Sequence, residues 1–144
     1  MESLSATSFT ASQQQGRSLK SLVNSHLTDL IPVFARNNSF IINDVSDELK
    51  IVANPEKVGG ILDQLFTTVA AHTTGSCIRI TAKTYSDVIL LQVRDHGMNG
   101  HTIACNLQTA QPIAETIGGF LGITSQWKNE TVIVFSFPNL PVAA

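Results

Sequence analysis

The stretch that decides the fold is Val88-Ile89-Leu90-Leu91-Gln92-Val93-Arg94-Asp95-His96-Gly97-Met98-Asn99-Gly100. An apolar run rich in β-branched residues ends in an acid, and a glycine-containing corner follows. A strand over residues 88–93 would hold the carboxylate of Asp95 in place, and Gly97 would let a ligand approach the backbone closely. Aspartate and glycine also form turns that bind nothing. Asp95 therefore has two interpretations, as a binding acid or as a residue that caps the turn.

The composition is that of one globular domain. Of 144 residues 43% are hydrophobic and 14% are charged, and the formal net charge is -2, which disfavours binding to nucleic acid. No apolar run approaches the roughly 20 residues of a membrane-spanning helix, and the start of the chain lacks the apolar core of a secretory signal. We expect a cytoplasmic protein with no nucleic-acid partner and no membrane span. Cys77 and Cys105 lie among apolar residues, which predicts buried thiols in a reducing compartment.

The first half of the chain contains two predicted helices separated by two predicted strands. Residues 1–16 are polar and low in complexity, which predicts disorder and leaves a domain over residues 17–140. An apolar stripe from Ser18 predicts a helix that kinks or frays near Pro32. Strands are predicted over residues 40–42 and 49–53, with an acidic turn between them.

A second helix begins at a clear signal, with Asn54 as N-cap and Pro55 in the first helical position. Gly59 and Gly60 lie inside this helix, where each costs roughly 1 kcal/mol relative to alanine. Close packing of a neighbouring element against them would explain their presence. The helix is expected to end at residues 73–76.

The second half of the sequence predicts two pairs of antiparallel strands, with a third helix between the pairs along the chain. The first pair covers residues 77–82 and 88–93, and the helix covers residues 107–117, with Pro112 in its interior. Gly118-Gly119 closes that helix, and strands follow over residues 120–124 and 131–137. This order predicts an α/β two-layer sandwich, in which a mixed, mostly antiparallel sheet is covered by helices on one face.

Four segments resemble the ATP-binding domain of sensor histidine kinases, a fold shared with gyrase, MutL-type repair proteins and a heat-shock chaperone family. The segments are the strand and helix start of residues 49–58, the adenine-motif-like Val93-Arg94-Asp95-His96-Gly97, the helix, double glycine and strand of residues 113–125, and the closing strand of residues 131–138. The resemblance spans about residues 19–138. It implies an ATP and magnesium site in which Asp95 accepts a hydrogen bond from the purine amino group. It also implies that Gly97 and the second helix form the floor of the adenine pocket, and that Thr131 contacts the adenine side through water. A plain strand position is the other interpretation of Thr131.

Several positions depart from that family's pattern. The asparagine that holds magnesium in the family aligns with Thr68, whose hydroxyl is a poorer ligand for a hard cation. The second glycine of the adenine motif aligns with Asn99, and Gly100 beside it is a partial substitute. The family's long phosphate-covering lid and second glycine motif are replaced by a short segment that runs from His101 into Ala104-Cys105-Asn106-Leu107. Glu130 places a negative charge where the family has glycine.

The four histidines have structural interpretations that we favour over functional ones. His26 lies in the first helix of the ATP-like domain, whereas the family's phosphoacceptor histidine lies in a separate upstream helix. His72 is expected to stabilise the C-terminal end of its helix. His96 and His101 flank the glycine corner beside Asp95, but a loop trio without further ligands is weak support for a metal site. We expect no catalytic residue and no metal-binding residue among these side chains.

Two functions remain open from the sequence. In the first, the domain is a degenerate, noncatalytic interaction module of two-component-type signalling, a pseudokinase that binds a response regulator or a kinase. In the second, it binds ATP and magnesium and phosphorylates a partner protein, in the manner of a histidine kinase or an anti-sigma-factor kinase. The lost lid and Glu130 favour the first, and Asp95 with Gly97 supports the second. In the first case we expect magnesium-ATP to bind weakly, well above micromolar, if it binds at all.

Overall fold

The computed structural model describes residues 17–95, 107–127 and 130–140. The helices are α1 (Leu19–Leu27), α2 (Ile31–Arg36), α3 (Pro55–His72) and α4 (Gln111–Thr116), and a short 3-10 turn over Thr28–Leu30 joins the first two. The strands are β1 (Arg17–Ser18), β2 (Phe40–Asn43), β3 (Lys50–Ile51), β4 (Cys77–Tyr85), β5 (Val88–Asp95), β6 (Phe120–Trp127) and β7 (Glu130–Pro138).

Five strands form one sheet in the order β2-β4-β5-β7-β6. Strand β2 runs parallel to β4, and the remaining neighbours are antiparallel. The first part of the stretch quoted at the outset, Val88–Asp95, is therefore the central strand, and its residues 96–100 lie outside the described residues. The apolar helix faces pack on one side of this sheet, so the predicted two-layer α/β architecture is confirmed.

The two strands predicted over residues 40–42 and 49–53 both form, the first one residue longer and the second three residues shorter, but they do not pair with each other. Strand β2 joins the main sheet beside β4, whereas β3 pairs with β1 in a separate two-stranded sheet. Their partners lie far away in the sequence, and local patterns carry no information on such partners.

Helix α3 forms as its sequence predicts. The Asn54 side chain accepts hydrogen bonds from the backbone N–H groups of Glu56 (2.9 Å) and Lys57 (3.4 Å), and Pro55 occupies the first turn, where its missing N–H costs nothing. The buried face carries the helical spacing of apolar residues and consists of Val58, Gly59, Ile61, Leu62, Leu65, Phe66, Val69 and Ala70.

One of the two helix-breaking prolines behaves differently from the prediction. Near Pro32 the helix is interrupted as predicted, by the 3-10 turn over Thr28–Leu30, and α2 then runs from Ile31 to Arg36 before the predicted turn, in which Asn38 has a φ of 57°. Pro112 is not interior, because α4 begins at Gln111 and is shorter than the predicted helix over residues 107–117. In both cases the proline lies in the first helical turn, where its ring does not clash with a preceding carbonyl.

One expected core residue lies at the surface. The Cys77 thiol is exposed, because the residue starts strand β4 on the side opposite Ile78 and Ile80, which are both buried. The prediction that Cys77 is a buried thiol is therefore wrong. Cys105 lies outside the described residues.

Candidate functional site

Asp95 ends the central strand and is fully buried. Ile89, Leu91 and Val93 are the buried residues before it, so Asp95 continues the series of strand β5 positions that face the helices. Directly opposite on β7 lies Thr131, which is 3% exposed. A carboxylate and a hydroxyl therefore share one buried edge of the sheet, at the end where β5 stops.

Three other residues predicted for this site, Gly97, Asn99 and Gly100, lie outside the described residues, as do His96 and His101. The structure therefore brings Asp95 and Thr131 together, and the adenine-side contacts expected of Gly97, Asn99 and Gly100 remain predictions.

Thr68 lies half-buried on helix α3 and lines a shallow cleft of about 290 Å³. The described residues of this cleft are Asp63, Gln64, Thr67, Thr68, Thr109 and Ala110. Ala110 itself is buried, and with Leu107 it belongs to the same hydrophobic core as the buried face of α3. Asp95 and Thr131 are not among these lining residues, and the described lining contains a carboxylate and no cation.

Glu130 begins strand β7 immediately before Thr131 and is partly buried. Its carboxylate is therefore one residue away along the chain from the predicted adenine-side threonine. A negative charge at this position opposes the approach of a polyphosphate.

His26 lies in a second cleft, of about 540 Å³, between α1 and α3. Its Nδ1 lies 3.8 Å from Oδ1 of Asp63, and 27% of its side chain is exposed.

A Cβ on Gly59 would come within 2.6 Å of His26 Nε2, so the close packing predicted for the glycine pair is confirmed at Gly59. No atom lies within 4 Å of the corresponding position on Gly60, so packing does not explain that glycine.

Asn139 is a positioning residue that the sequence analysis did not single out. Its Oδ1 accepts hydrogen bonds from the N–H groups of Val52 (2.8 Å) and Ala53 (3.2 Å), and its Nδ2 donates to the Lys50 carbonyl at 2.9 Å. The end of the last strand is thereby joined to the segment that enters helix α3. An asparagine directly after Pro138 was the available sequence signal, but its partners lie more than 80 residues earlier in the chain.

Within the described residues, no group of three or more histidine, cysteine, aspartate or glutamate side chains could hold a metal ion. None of the helices in that same part of the chain has the length and apolar character needed to cross a membrane.

The fold is that of histidine kinase catalytic domains. Histidine kinase AdeS from Acinetobacter baumannii superposes with a TM-score of 0.74 at 13% identity, over 96% of this chain and 76% of AdeS. The catalytic domain of histidine kinase ThkA gives 0.70 at 17% identity, over 87% of this chain and 96% of that domain. Full-length ShkA, solved in complex with AMPPNP, gives 0.73 at 16% identity, over 90% of this chain and 32% of ShkA. No protein-family model matches the sequence, and no curated protein shows significant sequence similarity.

Proposed function

We propose that this domain, which has the fold of a histidine kinase catalytic domain, is a degenerate member of that class that works as a noncatalytic interaction module in two-component-type signalling. The observation that carries the proposal is the cleft beside Thr68. Its described lining offers three threonine hydroxyls, the Gln64 amide and the Asp63 carboxylate, and it contains no cation that could hold a phosphate.

Phosphoryl transfer from ATP depends on positioning and on stabilisation of charge around the transferring group. A magnesium ion needs good oxygen ligands, and Thr68 provides a hydroxyl in place of an amide oxygen. The cleft volume of about 290 Å³ lies just below the range of roughly 300–1,000 Å³ typical of small-molecule sites. The described part of the cleft therefore supports weak nucleotide binding rather than a closed phosphate site.

The segment between Asp95 and Leu107 supports the same conclusion. Its only glycines are Gly97 and Gly100, and both belong to the adenine-motif-like stretch. A phosphate cradle needs backbone N–H groups at a tight turn or a helix N-terminus, and Ala104-Cys105-Asn106 is a poor substitute for a glycine-rich one. Glu130 adds repulsion of anions.

The second candidate function is that of an ATP-binding kinase domain that phosphorylates a partner protein. The buried pair of Asp95 and Thr131 favours it, because a carboxylate held at the end of a central strand is suited to accept a hydrogen bond from a purine amino group. A buried carboxylate also serves as a structural cap, so the pair alone does not require a nucleotide.

The partner in the first case is a response regulator or a kinase, and the cytoplasm is the compartment in which such partners occur. A protein whose nucleotide chemistry is lost still presents a sheet and surface loops on which recognition residues can lie.

Titration calorimetry with ATP and magnesium tests the proposal, with ADP and magnesium-free ATP as controls. We expect a dissociation constant well above micromolar, or no measurable heat. A low-micromolar constant, which corresponds to about -8 kcal/mol, would establish the second candidate instead.

A further inference from the structure

The sheet has a second face, turned away from the helices. On the two neighbouring strands β4 and β5 it is formed by the positions that alternate with the buried ones, and we call this set the outer face. Its residues are Cys77, Arg79, Thr81, Lys83, Tyr85, Val88, Leu90, Gln92 and Arg94.

The outer face carries three cations and no acid. Arg79 and Arg94 are directly opposite in the antiparallel register, and Lys83 follows on β4. All three side chains belong to exposed residues. The whole chain holds only nine lysines and arginines and has a net charge of -2. The outer face is therefore positively charged in a protein whose net charge is negative.

Among the described residues, acidic side chains pair with only one of these three cations. In the part of the chain that the structure describes, the ion pairs are formed by Lys20, His26 and Arg79, so Lys83 and Arg94 lack one. Arg79 Nη1 lies 3.4 Å from Oδ2 of Asp44, which sits just beyond the end of the edge strand β2. This acid and Glu130, at the start of β7, lie at the rim of the outer face.

The pairing of Arg79 with Arg94 is unfavourable for the isolated domain. Side chains directly opposite in an antiparallel pair have Cβ atoms about 4.5–5.5 Å apart, and like charges at that distance destabilise the sheet. A feature that lowers stability is commonly retained for function. The two arginines suit a surface that meets negative charge from outside.

Apolar side chains accompany the cations. Tyr85 and Val88 pair across the β4-β5 turn and are 56% and 38% exposed. Exposed aromatic and basic residues together are typical of the core of protein interfaces, where tyrosine and arginine are enriched.

We propose that the outer face is a docking surface for an acidic segment of a partner protein, whose carboxylates pair with Arg79, Lys83 and Arg94 and whose apolar residues pack on Tyr85 and Val88. The proposal rests on the interaction-module function proposed above and supplies the chemistry of its partner. Nucleic acid fits less well, because the protein as a whole is negatively charged and repels a long polyanion. Asp95 and Thr131 belong to the opposite face, so docking here would leave the candidate nucleotide site uncovered.

The experiment uses the full chain and a fluorescein-labelled twelve-residue peptide of alternating glutamate and leucine, with a glutamine-leucine peptide as the neutral match. Fluorescence anisotropy should show weak binding of the acidic peptide alone, and the affinity should fall as salt rises from 50 to 300 mM, since salt screens exposed charges. The double variant Arg79→Gln/Arg94→Gln should bind at least about fivefold more weakly. Amide NMR shifts on peptide addition should be confined to β4, β5 and their neighbours.

The matched control is Arg36→Gln/Lys57→Gln, which removes the same charge from exposed positions in the helical layer and should bind the peptide as the unchanged protein does. Thermal unfolding provides an independent readout, because Arg94→Gln removes the like-charge pair and should raise the Tm by about 1–3 °C.

The proposal is overturned by absence of peptide binding, by equal loss in both double variants, or by tighter binding of a single-stranded RNA twelve-mer to the same face. If the protein binds the peptide as expected but also binds magnesium-ATP tightly, the docking surface is supported and the noncatalytic function proposed above is wrong.

Discussion

Asp95 on β5 and Thr131 on β7 lie directly opposite each other in the antiparallel register, and both are buried on the side of the sheet that the helices cover. Their position at the end of the central strand places a carboxylate acceptor and a hydroxyl where we propose the adenine contacts. Neither residue is among the described residues that line the cleft beside Thr68, where a magnesium-bound phosphate would need ligands. The proposed adenine contacts and the proposed phosphate contacts therefore involve separate sets of described residues.

The role of Asp95 is tested by its replacement with asparagine, which keeps the side-chain volume but presents an amide. We expect residual binding of ADP, measured by saturation-transfer NMR at millimolar nucleotide, to fall at least tenfold, or about 1.4 kcal/mol. The matched control is Asp87→Asn, the same chemical change in an exposed turn, which should leave the ADP signal unchanged. Equal signals from both variants would identify Asp95 as a turn cap.

The role of Thr68 is tested by Thr68→Asn, which provides the amide oxygen that magnesium prefers. Because the lid segment and Glu130 are unchanged in this variant, we expect magnesium-dependent ATP affinity to rise by less than about tenfold, or about 1.4 kcal/mol. Calorimetry with and without magnesium measures the change, and Ala71→Asn at an exposed position of the same helix is the control. A gain to low-micromolar affinity would show that Thr68 alone disables the site.

Phosphorylation should be absent. We expect no label on the chain after incubation with γ-labelled ATP and magnesium, alone or with a candidate response regulator, because the function that we propose lacks several of the parts needed for charge stabilisation. His26 is a poor acceptor in this packing, since its ring lies against Gly59 and Asp63. Stoichiometric label that disappears in Asp95→Asn would contradict the noncatalytic proposal.

Gly59 and Gly60 are adjacent in helix α3 but should respond in opposite ways to alanine. Gly60→Ala meets open space and should raise the free energy of unfolding by about 0.5–1 kcal/mol through helix propensity. In Gly59→Ala the new Cβ meets the His26 ring, and overpacking of roughly 1–3 kcal/mol should cancel or exceed the same gain. Urea unfolding of both variants measures the difference, and equal stabilisation would show that His26 moves aside freely.

Gly119 should be among the most sensitive positions outside the core. A Cβ there would collide with the backbone carbonyl oxygen of Ser136, which cannot rotate away as a side chain can. We expect Gly119→Ala to lower the free energy of unfolding by roughly 2–3 kcal/mol. Gly122→Ala is the control, because the three atoms nearest to its Cβ would all belong to the exposed side chain of Phe120, which can rotate away, and it should cost less than about 1 kcal/mol. Similar costs at both positions would refute this distinction between backbone and side-chain contact.

Much of the architecture follows from local sequence. The Asn54-Pro55 start of α3, the hairpin of β4 and β5 and the turn at Gly118-Gly119 were each predicted, because caps, alternation and glycine conformation depend on neighbouring residues. The burial of Asp95 at the end of a central strand also follows from its position after an apolar run. These features need only a few consecutive residues to be specified.

The tertiary structure decided what depends on distant partners. It separated β2 from β3, exposed Cys77 and placed both prolines in first turns. It also opposed Arg79 to Arg94, set Asp95 against Thr131 and packed His26 on Gly59. Each of these depends on the register between strands or the packing between helices, in which residues tens of positions apart come within a few ångströms. A one-dimensional pattern specifies which face of an element is buried, and only the folded chain specifies what that face meets.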